Sequence, residues 1–319
     1  MRRLILLLIA IAALVFGAAW YAWNGAGPAQ KPVAVTVPEG GTIRSAAGAL
    51  EKAGAIASAD RFLILSRIFG GDGVIRAGEY EVPKGASAHW IFDLLRSGKT
   101  LQRLITVPEG MPSILVYEKL MAIPVLTGTI PVPIEGGVLP DSYAYQKGES
   151  RAAVLKRMMT AMDKTVAALW AKRKPGLVVT TPQQAVTLAA IVEKETGVPS
   201  ERRMVAGVYS NRLRIGMPLQ ADPTVIYPVT KGKPLGRRIL QSELRADNGY
   251  NTYAKPGLPL GPIANPGRAA IAAVLDPAPT RALYFVADGK GGHVFADTLA
   301  EHNANVAKWY AIRRQRGEM

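Results

Sequence analysis

The stretch AAIVEKETGV, residues 189–198, closes an apolar run with two carboxylates two residues apart. Whether either does chemistry depends on the run that precedes them. AVTLAAIVEKET keeps its apolar residues at helical spacing, and Thr181-Pro182 supplies an N-cap followed by a first helical position. The spacing predicts a helix from Pro182. On that helix Glu195 stands over Ile191 and Val192, with Leu188 one turn further back. Glu193 stands over Ala189 and Ala190, with Val186 behind, so Glu195 extends the bulkier stripe. Gly197 is expected to supply a left-handed stop, and Pro199 to bar continuation. A carboxylate at a helix C-terminus faces the negative end of the dipole. Burial acts in the same direction, and both raise the pKa toward what a general acid needs at neutral pH. The pattern alone also allows a solvated pair of glutamates with Lys194 between them.

Working outward, a helix carrying Val154, Met158, Met159, Met162 and Val166 precedes this one, and its methionines read as core filler. Residues 106–182 are otherwise transitional, broken by Pro131 and Pro133. On the C-terminal side the helical pattern runs to about Gly216. LQADPTVIYPV and YNTYAKPGLPLGPIANPG then read as turns and shaped loops, the kind of surface that carries binding groups. A polar helix over 299–314 closes the chain, near Arg313, Arg314 and Arg316.

Toward the N-terminus a smaller α+β domain is expected over 33–105. Val33, Val35 and Val37 alternate as a strand, Pro38-Glu39-Gly40 turns, and Thr42 caps a helix carrying Ile43, Ala46, Ala47 and Leu50. LITVPEGMPSILVYEKL repeats this strand, turn and helix seventy residues later, with Pro108-Glu109-Gly110 at the turn. Residues 60–69 and 87–95 read as helices, and 78–82 as a strand. NGAGPAQKP, residues 24–32, is a linker of turn formers. Before it, residues 4–23 carry no charge, enough helix for a hydrocarbon core about 30 Å thick. Arg2 and Arg3 precede this segment, and Trp20, Tyr21 and Trp23 end it. Its length favours an anchor over a cleaved signal peptide. The flanking charge leaves residues 1–3 cytoplasmic and sends the rest across the membrane.

The 319 residues carry a net charge of +15, which asks for an anionic partner. Export argues against nucleic acid and for lipid headgroups or an acidic polymer. With no cysteine, and with His89, His293 and His302 far apart, no metal-ligand spacing emerges and no cofactor is expected. Gly70-Gly71-Asp72-Gly73 lacks the lysine of a phosphate loop, and no G-x-S-x-G elbow occurs.

AIVEKETGV is similar to the signature of lytic transglycosylases and goose-type lysozymes, where an apolar helix ends in a catalytic Glu followed by Ser. Glu195-Thr196 takes that place, and Glu193 does not match. Longer stretches resemble one family, the endolytic murein transglycosylases (MltG or YceG-like proteins). They are IVEKETGVPSERRMVAGVYSNRLRIGMPLQADPTVIY, then YNTY at 250–253, GLPLGPIANPG at 257–267 and LYFVADGKGGHVF at 283–295. Pro228 and Leu260 depart from the pattern without touching Glu195. The resemblance covers nearly the whole chain. It implies an α+β architecture: an N-terminal transmembrane helix, a small LysM-like domain over 33–105, and a larger, mainly helical lysozyme/transglycosylase-like catalytic domain over 106–319 with irregular loops and short strands.

It also implies cleavage of the β-1,4 bond between N-acetylmuramic acid and N-acetylglucosamine without water. The muramoyl 6-hydroxyl attacks C1 to leave a 1,6-anhydro end. The nucleophile belongs to the substrate, so one carboxyl, Glu195, serves as acid and then as base. Gln220 either meets an acetamido group, orients Glu195, or ties down its own loop. Asp222 reads as a supporting acid or a plain turn opener. Tyr250, Asn251 and Tyr253 offer a stacking face and polar contacts to sugar, or pack beneath a loop. Asn265 stands between the same two roles, with loop fixing favoured. His293, flanked by glycine, is expected to be exposed, a rim contact at most. Partners implied are peptidoglycan strands, the membrane and neighbouring peptidoglycan polymerases, with no nucleic acid. A hydrolytic muramidase and a non-catalytic wall-binding scaffold are the rival readings.

Overall fold

A computed structural model describes residues 2–38, 40–71 and 74–318. Glu39 of the first turn, Asp72 and Gly73 of the glycine run, and Met1 lie outside them. The chain divides into two compact units, Met1–Arg103 with Ala144–Gly148, and Leu104–Tyr143 with Glu149–Met319.

In the first unit α1 (Arg2–Asn24) leads to β1 (Val33–Val37), α2 (Ile43–Lys52), α3 (Ala59–Phe69), β2 (Gly78–Val82) and α4 (Ala88–Ser97). α1 is the one helix among the described residues long and apolar enough to cross a membrane. β1 and β2 pair antiparallel with Val35 opposite Tyr80. Thr42, Ser58 and Ser87 cap the three helices that follow α1, each accepting a backbone N–H three residues on. Val35, Leu50, Phe62, Tyr80, Ile91 and Phe92 form the core of this unit.

The remaining elements are β3 (Arg103–Thr106), α5 (Ser113–Met121), β4 (Ser142–Tyr145), α6 (Arg151–Ala171), α7 (Pro182–Glu195), α8 (Arg202–Arg214), α9 (Asp222–Thr230), α10 (Gln241–Arg245), α11 (Arg268–Leu275), β5 (Tyr284–Ala287), β6 (His293–Ala296) and α12 (Leu299–Gln315). β3 pairs with β4, and β5 with β6 as an antiparallel hairpin. Both copies of the repeated motif fold as strand, turn and helix, with Gly40 and Gly110 each at φ 72°. Only a residue without Cβ takes that turn cheaply.

α7 is the axis of the second unit. Every residue from Ala185 to Val192 is buried, with α6, α8, α9 and α11 packed around it. Leu188 and Ile191 are fully buried, each worth about 2 kcal/mol in apolar burial. Thr181 caps the start as expected, accepting from the Gln184 N–H. The end differs from expectation. Gly197 is not left-handed; instead Thr196 turns the chain at φ −135°, ψ 129°. Its buried hydroxyl holds that turn, accepting from Val198 N at 3.0 Å and donating to Glu201 Oε2 at 3.0 Å. The segment LQADPTVIYPV also differs: instead of turns it forms α9. Asp-Pro opens that helix, where proline needs no N–H, and Pro228 is carried inside it.

Candidate active site

Glu195 is the last residue of α7. The residue keeps intermediate exposure, yet its Oε1 is sealed from solvent and has no hydrogen-bond partner among the described residues. Desolvation pushes its pKa from 4.5 up to about 7; Tyr209, a weak donor to the carboxyl, opposes this, Asp222 adds to it and Arg212 opposes it. A carboxylic acid half-protonated near neutrality is suited to giving a proton and taking it back.

α8 supplies two of these neighbours. Tyr209 is buried and packs edge-on against Phe285 of β5 at 5.8 Å. Arg212 lies on the same face one turn later. Its guanidinium donates to Leu283 O at 2.6 Å and Leu219 O at 2.7 Å, and sits over the Tyr284 ring. It makes no ion pair among the described residues, and its charge acts through space on Tyr209, Tyr284, Tyr253 and Glu195. The sequence reading missed both residues. Nothing in RRMVAGVYSNRLR marks Arg212 apart from the other three arginines of that stretch.

The expected site residues separate into two groups. Gln220, Asp222 and Tyr253 share one substructure. Gln220 holds φ 51°, one of two non-glycine residues with positive φ among those described, and its side chain is exposed. The Tyr253 hydroxyl donates to Asp222 Oδ1 at 2.5 Å. The two segments are stapled through their backbones: Gln220 N to Thr252 O at 3.1 Å, Ala221 N to Thr252 Oγ1 at 3.1 Å, and Thr252 N to Thr224 Oγ1 at 3.2 Å. Electrostatic coupling links Tyr253 to both Asp222 and Glu195.

Asn251 and Asn265 are placed otherwise. Both are buried, and their amides serve the loops. Asn251 Nδ2 donates to the carbonyls of Glu243, Leu244 and Ala246, while its Oδ1 accepts from Tyr253 N at 2.9 Å. Asn265 Nδ2 donates to Met111 O and Ser113 Oγ, and its Oδ1 accepts from Val138 N at 3.0 Å. Neither amide has a donor left for a sugar. Tyr250 leans on Tyr227 at 4.9 Å instead of on the Glu195 group.

His293 is not the exposed rim residue expected. Its side chain is 18% exposed, its backbone N–H donates to Glu201 Oε1 at 2.7 Å, and its Nδ1 lies 2.7 Å from Glu201 Oε2. The carboxylate that fixes Thr196 is thus also the partner of β6. Burial raises the Glu201 pKa, but bonds from His293 and Thr196 outweigh this and hold it below the usual range.

Glu193 faces elsewhere. Its side chain is 4% exposed, 3.3 Å from Arg202, and accepts from Gly267 N at 2.8 Å at the start of α11. Glu109 shares the same arginine at 3.1 Å. A Cβ on Gly267 would fall 1.9 Å from Glu109 Oε1, so the glycine leaves room for the Glu109 side chain to lie there. A second carboxyl that the sequence reading passed over, Glu135, is also raised by desolvation, against opposing bonds from Ser113 and Tyr227. It lines a cavity of about 280 Å³ beside Met162, Val186 and Pro262, and a cavity of about 550 Å³ adjoins it through Gln183 and Pro262. Glu195 lines neither.

A mainly helical unit that ends its central helix in one sealed, near-neutral carboxylic acid has the makings of acid–base chemistry. Residues 35–308 match the YceG-like family, and the chain belongs to that family. An endolytic murein transglycosylase of Bacillus subtilis is 30% identical over 317 residues, spanning 89% of this chain and 86% of the relative. One of Streptococcus pneumoniae is 26% identical over 88% of this chain, which spans 58% of that relative's length. A crystal structure of a YceG-like protein from Listeria monocytogenes is 27% identical with a TM-score of 0.55, covering 86% of this chain and 99% of the other.

Proposed function

We propose that this chain is an endolytic peptidoglycan transglycosylase in which Glu195 is the acid and base. The single observation that carries the assignment of Glu195 is its carboxyl, with Oε1 sealed from water and unpartnered among the described residues and its pKa raised to about 7. An unpaired buried polar atom costs stability, so its persistence points to a partner that arrives with substrate. Glu195 protonates the glycosidic oxygen as the bond to C1 of the muramoyl residue breaks. The 6-hydroxyl of the same sugar then bonds to C1 and returns its proton to Glu195. The product is a 1,6-anhydro end, and glycan elongation stops at that cut. Of the remaining expected contacts, Tyr253, which is linked electrostatically to Glu195, and Gln220, which precedes Asp222 in the segment bonded to Thr252, are assigned to the sugar. Tyr250 is assigned to packing, Asn251 and Asn265 to the loops.

The same reading makes residues 4–23 a single-pass anchor, residues 1–3 cytoplasmic and the remainder periplasmic. Residues 33–105 act as a LysM-like glycan-binding module, the piece of chain that carries β1, α2, α3, β2 and α4. Residues 106–319 act as a catalytic domain of lysozyme-like character, working next to peptidoglycan polymerases. The net charge of +15 suits a polymer bearing lactyl and peptide carboxylates. Digestion of purified peptidoglycan by wild type and Glu195→Gln, with mass analysis of the new ends, tests the assignment. Anhydro ends are expected from wild type alone; undiminished anhydro ends from the variant refute it. Uptake of labelled water oxygen at the ends would instead identify a hydrolytic muramidase.

A further inference from the structure

We propose that Asp222 is a second catalytic carboxylate, whose negative charge faces the reacting sugar and offsets the positive charge that develops at C1. The proposal deepens the transglycosylase reading and rests on Glu195 being the acid. As Glu195 gives its proton to the leaving oxygen, the C1–O bond weakens ahead of attack by the 6-hydroxyl, and the ring carries positive charge. No protein nucleophile is needed, because the attacking oxygen and its proton both come from the substrate. Asp222 gains and loses no proton in this sequence. Its part is electrostatic.

Four observations converge on it. Asp222 is exposed, and of its two oxygens Oδ1 alone is taken, by the Tyr253 hydroxyl at 2.5 Å; Oδ2 has no partner among the described residues. A turn opener has no use for a buried-sided tyrosine clamping its carboxylate. The segment carrying Asp222 is built with strain at Gln220, φ 51°, which the Thr252 and Thr224 bonds hold in place. That segment is also fastened to the acid. Arg212 holds Leu219 O at 2.7 Å, and one turn back on α8 Tyr209 meets the Glu195 carboxyl. One connected structure therefore runs from Glu195 through α8 to Asp222 and Tyr253, and Asp222 acts electrostatically on Glu195.

Asp222 is the first residue of α9 and its side chain makes no capping bond, so the near-isosteric Asp222→Asn removes the charge and keeps the local geometry. The test measures steady-state release of anhydro ends from purified peptidoglycan by the full-length wild type, Asp222→Asn, Asp222→Glu and Tyr253→Phe, with thermal unfolding in parallel. Asp222→Asn is expected to lose kcat about 100-fold, with KM and the unfolding midpoint nearly unchanged. Asp222→Glu restores part of the loss, and Tyr253→Phe, which frees the carboxylate without removing it, costs about tenfold. The alkaline limb of the pH profile moves to lower pH in Asp222→Asn, because the anion beside Glu195 is gone; a purely structural role would leave it in place. Should Asp222→Asn unfold, Asp222→Glu and Tyr253→Phe decide: full turnover in Tyr253→Phe with none in Asp222→Glu overturns the proposal. Wild-type kcat in a folded Asp222→Asn overturns it outright. If the wild type itself forms no anhydro ends, or Glu195→Gln still forms them, the underlying reading has failed instead.

Discussion

Glu193 and Glu195 leave the same turn of α7 and arrive in unlike surroundings. Glu193 meets a cation and a helix N-terminus: Arg202 at 3.3 Å, and the Gly267 N–H at the start of α11. Both favour a negative charge and make this carboxylate a tie between α7, α8 and α11, although burial outweighs them and leaves its pKa raised as well. Glu195 meets the opposite. It sits at the negative end of its own helix, with one oxygen unbonded, a buried tyrosine beside it and an aspartate nearby. The contrast separates a structural carboxylate from a reactive one. It comes from what each side of the helix faces, since the two residues share a helix end and an apolar run.

The largest expected effect is on turnover. Glu195→Gln should lower the rate of anhydro-end formation by about 1,000-fold or more, while Glu193→Gln stays within a few-fold of wild type. Equal losses in both would erase the contrast.

Stability should divide the two in the other direction. Glu193→Ala strips Arg202 and the Gly267 N–H of a buried partner and is expected to cost about 2–3 kcal/mol in denaturant unfolding. Glu195→Gln should stabilise, increasingly as pH rises above 4.5. The folded carboxyl titrates at about 7 and its ordinary value is 4.5. Between those values the native chain holds a proton that the unfolded chain has lost, so stability falls as pH rises through that window. The deficit is complete above 7 and absent below 4.5. Glu195→Gln removes it, giving a gain of about 3 kcal/mol at pH 8.5 and almost none at pH 4.

Smaller effects probe the frame around the acid. Glu201→Ala frees Thr196 and His293 together, with an expected cost of about 1–2 kcal/mol and a fall in kcat greater than any rise in KM. Gln220→Gly relieves the left-handed backbone and should stabilise by about 0.5–1 kcal/mol. If its side chain meets the sugar, the same change raises KM, which separates strain from contact.

The parts legible in the sequence were those set by near neighbours. Thr42 and Thr181 cap helices by accepting bonds from three residues on, and β1 alternates as a half-buried strand should. Glu195 was legible because a helical period places it over Ile191 and Val192. What surrounds it was not. Tyr209 and Arg212 come from the next helix, and nothing in RRMVAGVYSNRLR separates an inward arginine from its solvated neighbours. The Thr196–Glu201–His293 link spans almost a hundred residues. α9 was hidden by its own prolines, one harmless at the helix start and one tolerated inside. Asn251 and Asn265 carry the letters of sugar-binding amides, and only tertiary placement commits them to loop carbonyls.

The most direct test of the account is the titration of the Glu195 carboxyl itself. Carbon-13 chemical shifts of side-chain-labelled glutamate, followed across pH in the wild type, would identify it as the signal missing from Glu195→Gln. A midpoint near 7 is expected. A midpoint near 4.5 would mean that the carboxyl is an ordinary solvated anion at neutral pH, with no proton to give, and would contradict its role as the acid.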